Sequence, residues 1–447
     1  MIRKELNKHL SIFASCKRGE NGSFHVIACL IISLISVAPP LLGDFDKFEN
    51  WGFQQGGGLR QENFVGDDIK LVITGKAWNQ DKQWLALVGS LHGKPAVRAY
   101  DLSNDQPVTF LNWNGKSEFK GATATAVSWI PGSDRLLVGI QKARGEVEVL
   151  LLDRTTGNQD EPVAKKKLQN WDSLADLQPD LHDQDSGVCW VLGTKNEKGL
   201  IRKISVSSNS LNLNNTLLFS EITEPKKLIV MKDKFLAAGQ NDQNEAIIMG
   251  KRIQRGANGM MSIFFNSPII FSTDNGRRSS TLLLAQRNQF EGPILLGAGT
   301  FLSDLLVNQT GDGNNMLYVT GCVRGPGMNG ENIFLQSFDL GESSIDEKWE
   351  TNFDKAGSGI EIGVGLTGTS DGGVVLSGNF NTSWLLGQAD EDDDFAALLP
   401  EGEDVKSFDS FLARYDPDGN LNWAQTSGMA GDDFAFGLSG DLNGSIL

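Results

Sequence analysis

From Lys70 onward the chain reads as short apolar runs broken by polar turns, and few runs are long enough for a helix. Phe411, Ala413 and Tyr415 recur at period two, the mark of a strand with one buried face. Asp416-Pro417-Asp418-Gly419-Asn420 follows as a tight turn. Pro presets φ, Gly accepts a positive φ, and the Asp side chain bonds the backbone of its own turn. Leu421 to Gln425 is the return strand, Gly431-Asp432-Asp433 opens another, and Asn443-Gly444 is a two-residue hairpin signal.

The same unit occurs upstream. Phe334–Asp339 matches Phe411–Asp416, Trp349 matches Trp423, and Gly357–Gly365 matches Gly431–Gly437. Val319-Thr320-Gly321 matches Leu376-Ser377-Gly378, and Asp371-Gly372 matches Asn443-Gly444. Toward the N-terminus, Lys70–Trp113 and Ala122–Asp153 each carry a blade's worth of strands. A third blade centres on VCWVLG and IRKISV, and a fourth runs through KKLIVM, FLAAG and AIIMG to SIFF at Phe265. Residues 266–300 hold the runs PIIF, TLLLA and PILLG without repeat marks, and read as a degenerate extra blade or an inserted hairpin. Further blades begin near Phe301, Ile360 and Phe434. Four strand signals recurring every ~50 residues specify an all-β fold, a β-propeller of about seven four-stranded blades. Trp51–Asp68 repeats the Trp, Gly and Asp-Asp marks of Trp423–Asp433, so Phe48–Gln54 is expected as an N-terminal strand in the last blade, closing the ring.

These motifs resemble the secreted β-propeller repeat known as SBBP-type, most closely over 408–447, less over 302–380 and faintly before residue 300. The resemblance implies an exported propeller of a surface or adhesive protein. It implies no single activity, because the motif carries no chemistry.

Residues 1–43 read as a signal peptide or N-terminal anchor: Lys4, Lys8, Lys17 and Arg18 precede the apolar run Val26–Ala38. Residues 44–447 then form a single propeller domain with an acidic loop insertion at 384–405, which carries Asp390 to Asp394. Over 447 residues the formal net charge is −16. Such a surface repels nucleic acid and anionic lipid, so contact with a membrane is expected only through the N-terminal segment. Beyond residue 43 only Cys189 and Cys322 remain, each closing an apolar run, and buried free thiols are expected rather than a disulfide framework.

Few residues propose chemistry. Gly325 to Gly330 spells G-x-G-x-x-G, but the next residues read as a strand, where a dinucleotide site needs a helix. His92 and His182 fall in loops of different blades with no second ligand at metal spacing. The sequons at Asn21, Asn214, Asn308, Asn381 and Asn443 matter only in a glycosylating host. Carboxylates at strand starts are more suggestive: Asp67, Asp68, Glu361, Asp432 and Asp433. The plainer reading is that they cap turns. The sharper one is that Asp67, Asp68, Asp432 and Asp433 ring the channel and hold Ca²⁺, which takes six to eight oxygens. No other cofactor is expected. The function expected is that of a monomeric, non-enzymatic binding or structural module, secreted, at the cell surface or in the periplasm, with a protein or glycan ligand. The alternative is an enzyme acting on extracellular glycan, a hydrolase or lyase with paired carboxylates at the channel mouth.

Overall fold

The computed structural model describes residues 72–427, with breaks at 80–82, 104–107, 144, 157–160, 183–186, 244, 256–260, 264–293, 299, 312, 324–331, 342–344, 353–360 and 381–408, together with Ala435, Gly437 and Leu438. The only helical turn among them is a 3-10 turn at Ser117–Phe119, and no helix among them is long and apolar enough to cross a membrane. Everything else is antiparallel strand and turn. The first blade comprises β1 (Val72–Asn79), β2 (Trp84–Leu91), β3 (Lys94–Asp101) and β4 (Val108–Asn114). The second holds β5 (Thr123–Trp129), β6 (Leu136–Gln141), β7 (Val147–Leu152) and β8 (Ala164–Leu168). The third holds β9 (Ser173–Pro179), β10 (Val188–Lys195), β11 (Lys198–Ser207) and β12 (Ser210–Phe219). The fourth is built from β13 (Glu224–Val230), β14 (Lys234–Gln240) and β15 (Glu245–Arg255), flanked by β16 (Met261–Ile263) and β17 (Ile294–Ala298). The fifth holds β18 (Thr300–Gln309), β19 (Asn315–Val323), β20 (Asn332–Leu340) and β21 (Ile345–Asn352). The sixth holds β22 (Glu361–Gly368), β23 (Val374–Phe380), β24 (Asp409–Tyr415) and β25 (Leu421–Ser427).

Each blade is one sheet whose strands pair in chain order, except that in the fourth β17 pairs with β15. The first strand of each blade packs against the first strand of the next: β1 on β5, β5 on β9, β9 on β13, β13 on β18 and β18 on β22. That is the ring of a β-propeller, with the first strands forming the inner rim. Among the described residues there are six blades, which corrects the expectation of seven. Of the stretch expected to open a seventh, the described residues Ala435, Gly437 and Leu438 belong to no strand. The side chain of Asn379 occupies the hydrogen-bonding groups of Ala435: its Oδ1 accepts the Ala435 N–H at 2.6 Å and its Nδ2 donates to the Ala435 carbonyl at 3.0 Å. Residues 48–54, expected to close the ring, lie outside the described residues, as do 1–43 and the acidic run Asp390 to Asp394. The acidic insertion falls in the connection between β23 and β24.

In the fourth blade the run SIFF was expected as the outer strand, and Met261–Ile263 pairs there with the far end of β15, opposite Ile253–Arg255. The near half of β15 pairs with Ile294–Ala298, which lies within the stretch expected to be an extra blade or hairpin. At eleven residues β15 has room for both partners, so proximity in sequence did not decide the pairing.

Apolar side chains of facing blades form the core. Val88, Ala99 and Trp113 of the first blade pack with Trp129, Val138 and Leu150 of the second. Trp190 and Leu192 of the third pack with Phe235 and Ala237 of the fourth. Tyr318 and Leu335 of the fifth pack with Leu376 and Phe411 of the sixth. Two of the expected repeat correspondences hold: Phe334–Phe338 and Phe411–Tyr415 fall on the third strands of the fifth and sixth blades, and Trp349 and Trp423 on their fourth strands. Trp349 reaches across to the sixth blade, where its Nε1–H donates to the Pro417 carbonyl at 2.9 Å and its ring lies 6.0 Å from that of Tyr415. The Asp416 turn forms as its residues dictate. Oδ1 accepts the N–H groups of Asp418 at 3.0 Å and Asn420 at 2.8 Å, and Gly419 sits at φ 87°.

Second strands carry a glycine in every blade: Gly89, Gly139, Gly193, Gly239, Gly321 and Gly378. The reason is visible at Gly321. It pairs with Leu302 immediately before a bulge in β18, and a Cβ there would collide with the Phe301 carbonyl oxygen and meet the Leu302 Cα at 3.0 Å.

Candidate functional site at the inner rim

Every inner strand carries a register shift at the same place. The shifts lie between Ile73 and Gly75, Ala124 and Ala126, Leu174 and Asp176, Pro225 and Lys227, Leu302 and Asp304, and Gly363 and Gly365. A bulge bends the strand and re-aims the side chains beside it. The residue after the bulge is Gly75, Ala126, Asp176, Lys227, Asp304 or Gly365 in turn, so three successive blades place a charge on the rim: Asp176, Lys227 and Asp304.

Both carboxylates tie neighbouring blades together. Asp176 Oδ1 accepts the N–H of Leu177 and Oδ2 that of Leu228 in the next blade, each at 2.9 Å. Asp304 repeats the device two blades on, accepting the N–H of Leu305 and of Leu366 in the next blade, again at 2.9 Å. These bonds satisfy N–H groups that the bulges release from the ladder. Lys227 stands between the two carboxylates, with Nζ 3.4 Å from Asp304 Oδ1 and its side chain 29% exposed. It is enclosed by the ring yet still reached by solvent. Asp304 foremost, with Asp176 adding, holds Lys227 above the ordinary lysine range against the opposing effect of burial. Burial pushes the Asp176 carboxyl upward, while Lys227 and the backbone N–H donors act in the other direction.

The next position along each strand is apolar and buried in five blades: Val127, Leu177, Leu228, Leu305 and Leu366. Leu438 joins them, since a Cβ on Gly365 would stand 2.5 Å from its backbone N. The first blade alone departs, with Lys76 at this position. Its Nζ is buried and has no hydrogen-bond partner among the described residues. Gly437 lies against it, so that a Cβ at Gly437 would be 3.2 Å from Nζ. Burial lowers the Lys76 amine to about 7, with Asp304 opposing and Lys227 assisting.

Of the residues expected from sequence to hold Ca²⁺, Asp67, Asp68, Asp432 and Asp433 all lie outside the described residues. Glu361 is described; it is buried and opens β22 opposite Phe380. Among the described residues no three His, Cys, Asp or Glu side chains are grouped to hold a metal ion. Cys189 and Cys322 are buried thiols in no disulfide, and burial pushes the Cys189 thiol up to about 12. His92 and His182 lie in turns of the first and third blades. The Gly325–Gly330 loop leads into β20, a strand. Asn308 is engaged by the fold, its Nδ2 donating to the carbonyls of Thr369 and Gly373 at 2.9 Å. The rim residues Lys76, Asp176, Lys227 and Asp304 were not singled out from sequence. For Lys76, Asp176 and Asp304 the signal was a lone charge in the strand, in VITGKAWN, SLADLQP and TFLSDLLVNQ, whereas Lys227 stands beside Glu224 and Lys226 in EPKKLIV.

No family model matches the chain, and no curated protein matches it in sequence. Solved structures do resemble it. A protein from Lactobacillus plantarum aligns over 80% of this chain and 86% of its own, at 11% identity and a TM-score of 0.46. The β-propeller domain of Cps50 (Swd1) from Myceliophteria thermophila aligns over 83% and 92%, at 10% identity and 0.44. The C-terminal WD40 domain of Sif2 aligns over 84% and 93%, at 11% identity and 0.43. At this identity the likeness is one of fold alone.

Proposed function

We propose that the chain is an exported β-propeller that acts as a non-enzymatic binding or structural module, secreted or held at the cell surface, and presents its loops to a protein or glycan partner. The observation that carries this reading is the state of the rim carboxylates. Asp176 and Asp304 each give both oxygens to backbone N–H groups of two blades. A glycan-cleaving pair needs one carboxyl free to donate a proton and another free to attack or to activate water. These two are committed to holding blades together, which argues against the hydrolase or lyase alternative at the rim. A rigid ring with varied connections is the usual arrangement of a scaffold that binds through loops. The repeat marks at Phe334–Asp339 and Phe411–Asp416 favour the SBBP-type reading within that class, and the basic and apolar stretches before residue 43 favour export.

Two measurements on the full chain test the proposal. Alkaline phosphatase fused after Leu447, which is active only outside the cytoplasm, should be active in a bacterial host; a silent fusion refutes export. A glycan array followed by a reducing-end release assay on each bound glycan separates the two classes. Binding without turnover is expected, and sustained turnover would overturn the non-enzymatic reading.

A further inference from the structure

A glycan joined to an asparagine replaces one of the two hydrogens on Nδ2 and needs room in solvent. Two sequons lie among the described residues, Asn214-Asn215-Thr216 and Asn308-Gln309-Thr310, and their geometry separates them. Asn308, on the inner strand β18, spends both Nδ2 hydrogens on the carbonyls of Thr369 and Gly373 in the sixth blade, each at 2.9 Å. Its Oδ1 accepts the Gln309 N–H at 3.0 Å, and a Cβ on Gly368 would stand 2.7 Å from its Cγ. Asn214 and Thr216 are both exposed on β12. Asn214 Nδ2 donates one long bond, to Ser205 Oγ at 3.4 Å. The pairing of β12 with β11 passes over residue 215 between them, a bulge that lifts the sequon out of the regular ladder.

The strand that carries Asn214 is itself unusual. β12 is the outer edge of the third blade. At ten residues it is the longest outer strand among the described residues, and SLNLNNTLLF holds neither a charge nor a proline. The outer strands of the second and fifth blades, AKKKL and IDEKWETN, are charged. A long edge without charge, proline or cover is a template for pairing with another chain, and Leu218 on this edge is 55% exposed.

We propose that Asn214 is an N-glycan acceptor and that its glycan covers the β12 edge. The donor is a lipid-linked oligosaccharide diphosphate. Asn214 Nδ2 attacks the anomeric carbon of the first sugar, and the C–N bond forms as the C–O bond to the diphosphate breaks. The electron pair leaves with the lipid diphosphate, and Nδ2 gives up one proton to base. The N–H that remains is enough for the bond to Ser205, whereas at Asn308 the same loss would break one of the two bonds tying the fifth blade to the sixth. The inference rests on the export reading, since this modification belongs to exported chains.

The test expresses the full chain in a glycosylating mammalian cell line, with its own N-terminus and, in parallel, behind an added cleavable leader. Secreted and lumenal protein is treated with the amidase that releases N-glycans and leaves Asp, in isotopically labelled water, and mapped by mass spectrometry. Asn214 should be occupied at least about tenfold more than Asn308. Occupancy of Asn214 only with the added leader refutes export and supports the acceptor. A bare Asn214 in exported chain, or Asn308 occupied as fully as Asn214, overturns it. Thr216→Ala, which removes the sequon and leaves Asn214 in place, should abolish the Asn214 glycan. Sedimentation tests the cover: wild type stripped of glycan should associate with rising concentration, and Leu218→Lys should return the stripped chain to monomer. A stripped wild type that stays monomeric over the same range overturns the cover.

Discussion

Replacing Asp304 by Ala should destabilise the ring far more than an exposed surface substitution would. The side chain accepts the N–H of Leu305 and, across the blade boundary, that of Leu366, both at 2.9 Å. Both leucines are buried, so Ala leaves two donors without acceptors and with little access to water. An unsatisfied buried donor costs about 1–3 kcal/mol. Loss of the carboxylate also strips Lys227 of its partner at 3.4 Å. Asp176 remains and the lysine side chain is partly solvated, so this contribution lies below the ~3–5 kcal/mol of a broken, fully buried pair. Together the loss should be about 3–5 kcal/mol, a large part of a typical domain's ~5–15 kcal/mol. Asp304→Asn keeps one carbonyl oxygen but turns an amide donor toward a second donor, so it should retain about 1–2 kcal/mol of that loss. Guanidinium unfolding followed by tryptophan fluorescence reads both variants, with Lys227→Met closing a double-mutant cycle. A loss below about 1 kcal/mol for Asp304→Ala, the size of an ordinary surface effect, would refute the view that these carboxylates hold adjacent blades together.

Lys76 makes stability depend on pH with a definite sign. Its amine is lowered from 10.5 to about 7 in the folded chain, so between those values the unfolded state binds the proton that the folded state lacks. Stability should therefore rise with pH from about 7 toward 10, by up to ~1.4 kcal/mol per unit, and Lys76→Met should flatten that rise in a urea titration at stepped pH. Gly321→Ala should cost more than about 2 kcal/mol, because the added methyl meets the β18 backbone rather than a movable side chain; calorimetry showing an unchanged melting temperature would contradict the packing. Cys189 and Cys322 should stay unreactive to a thiol reagent at pH 8 until the chain unfolds; immediate titration of both thiols in native protein would mean that these blades open locally.

The repeat was legible in the sequence because its marks answer to local physics. An Asp-x-x-Gly turn announces itself by residue type, and Asp416 to Asn420 folds as those residues require. At Gly193, Gly239 and Gly321 the second-strand glycine is enforced by the inner-strand backbone, which a Cβ would meet, and at Gly378 by the Phe411 ring. The outer strand of the fourth blade was not legible in the same way. Two apolar runs compete for β15, and long-range pairing chose the more distant one for the near half of the strand. The rim was less legible still. Asp176 and Asp304 each look like an isolated charge in their strand, and Lys227 like one more charge beside Lys226. What makes them one group is that a bulge at the same point of every blade brings equivalent residues together at the axis, and periodicity within a single strand does not contain that fact. Once the register is known the exception stands out by the same logic. Five blades set a buried Val or Leu beside the bulge and the first sets Lys76. A buried amine in place of a leucine costs stability, and that cost is what ties the stability of the blades to pH through Lys76.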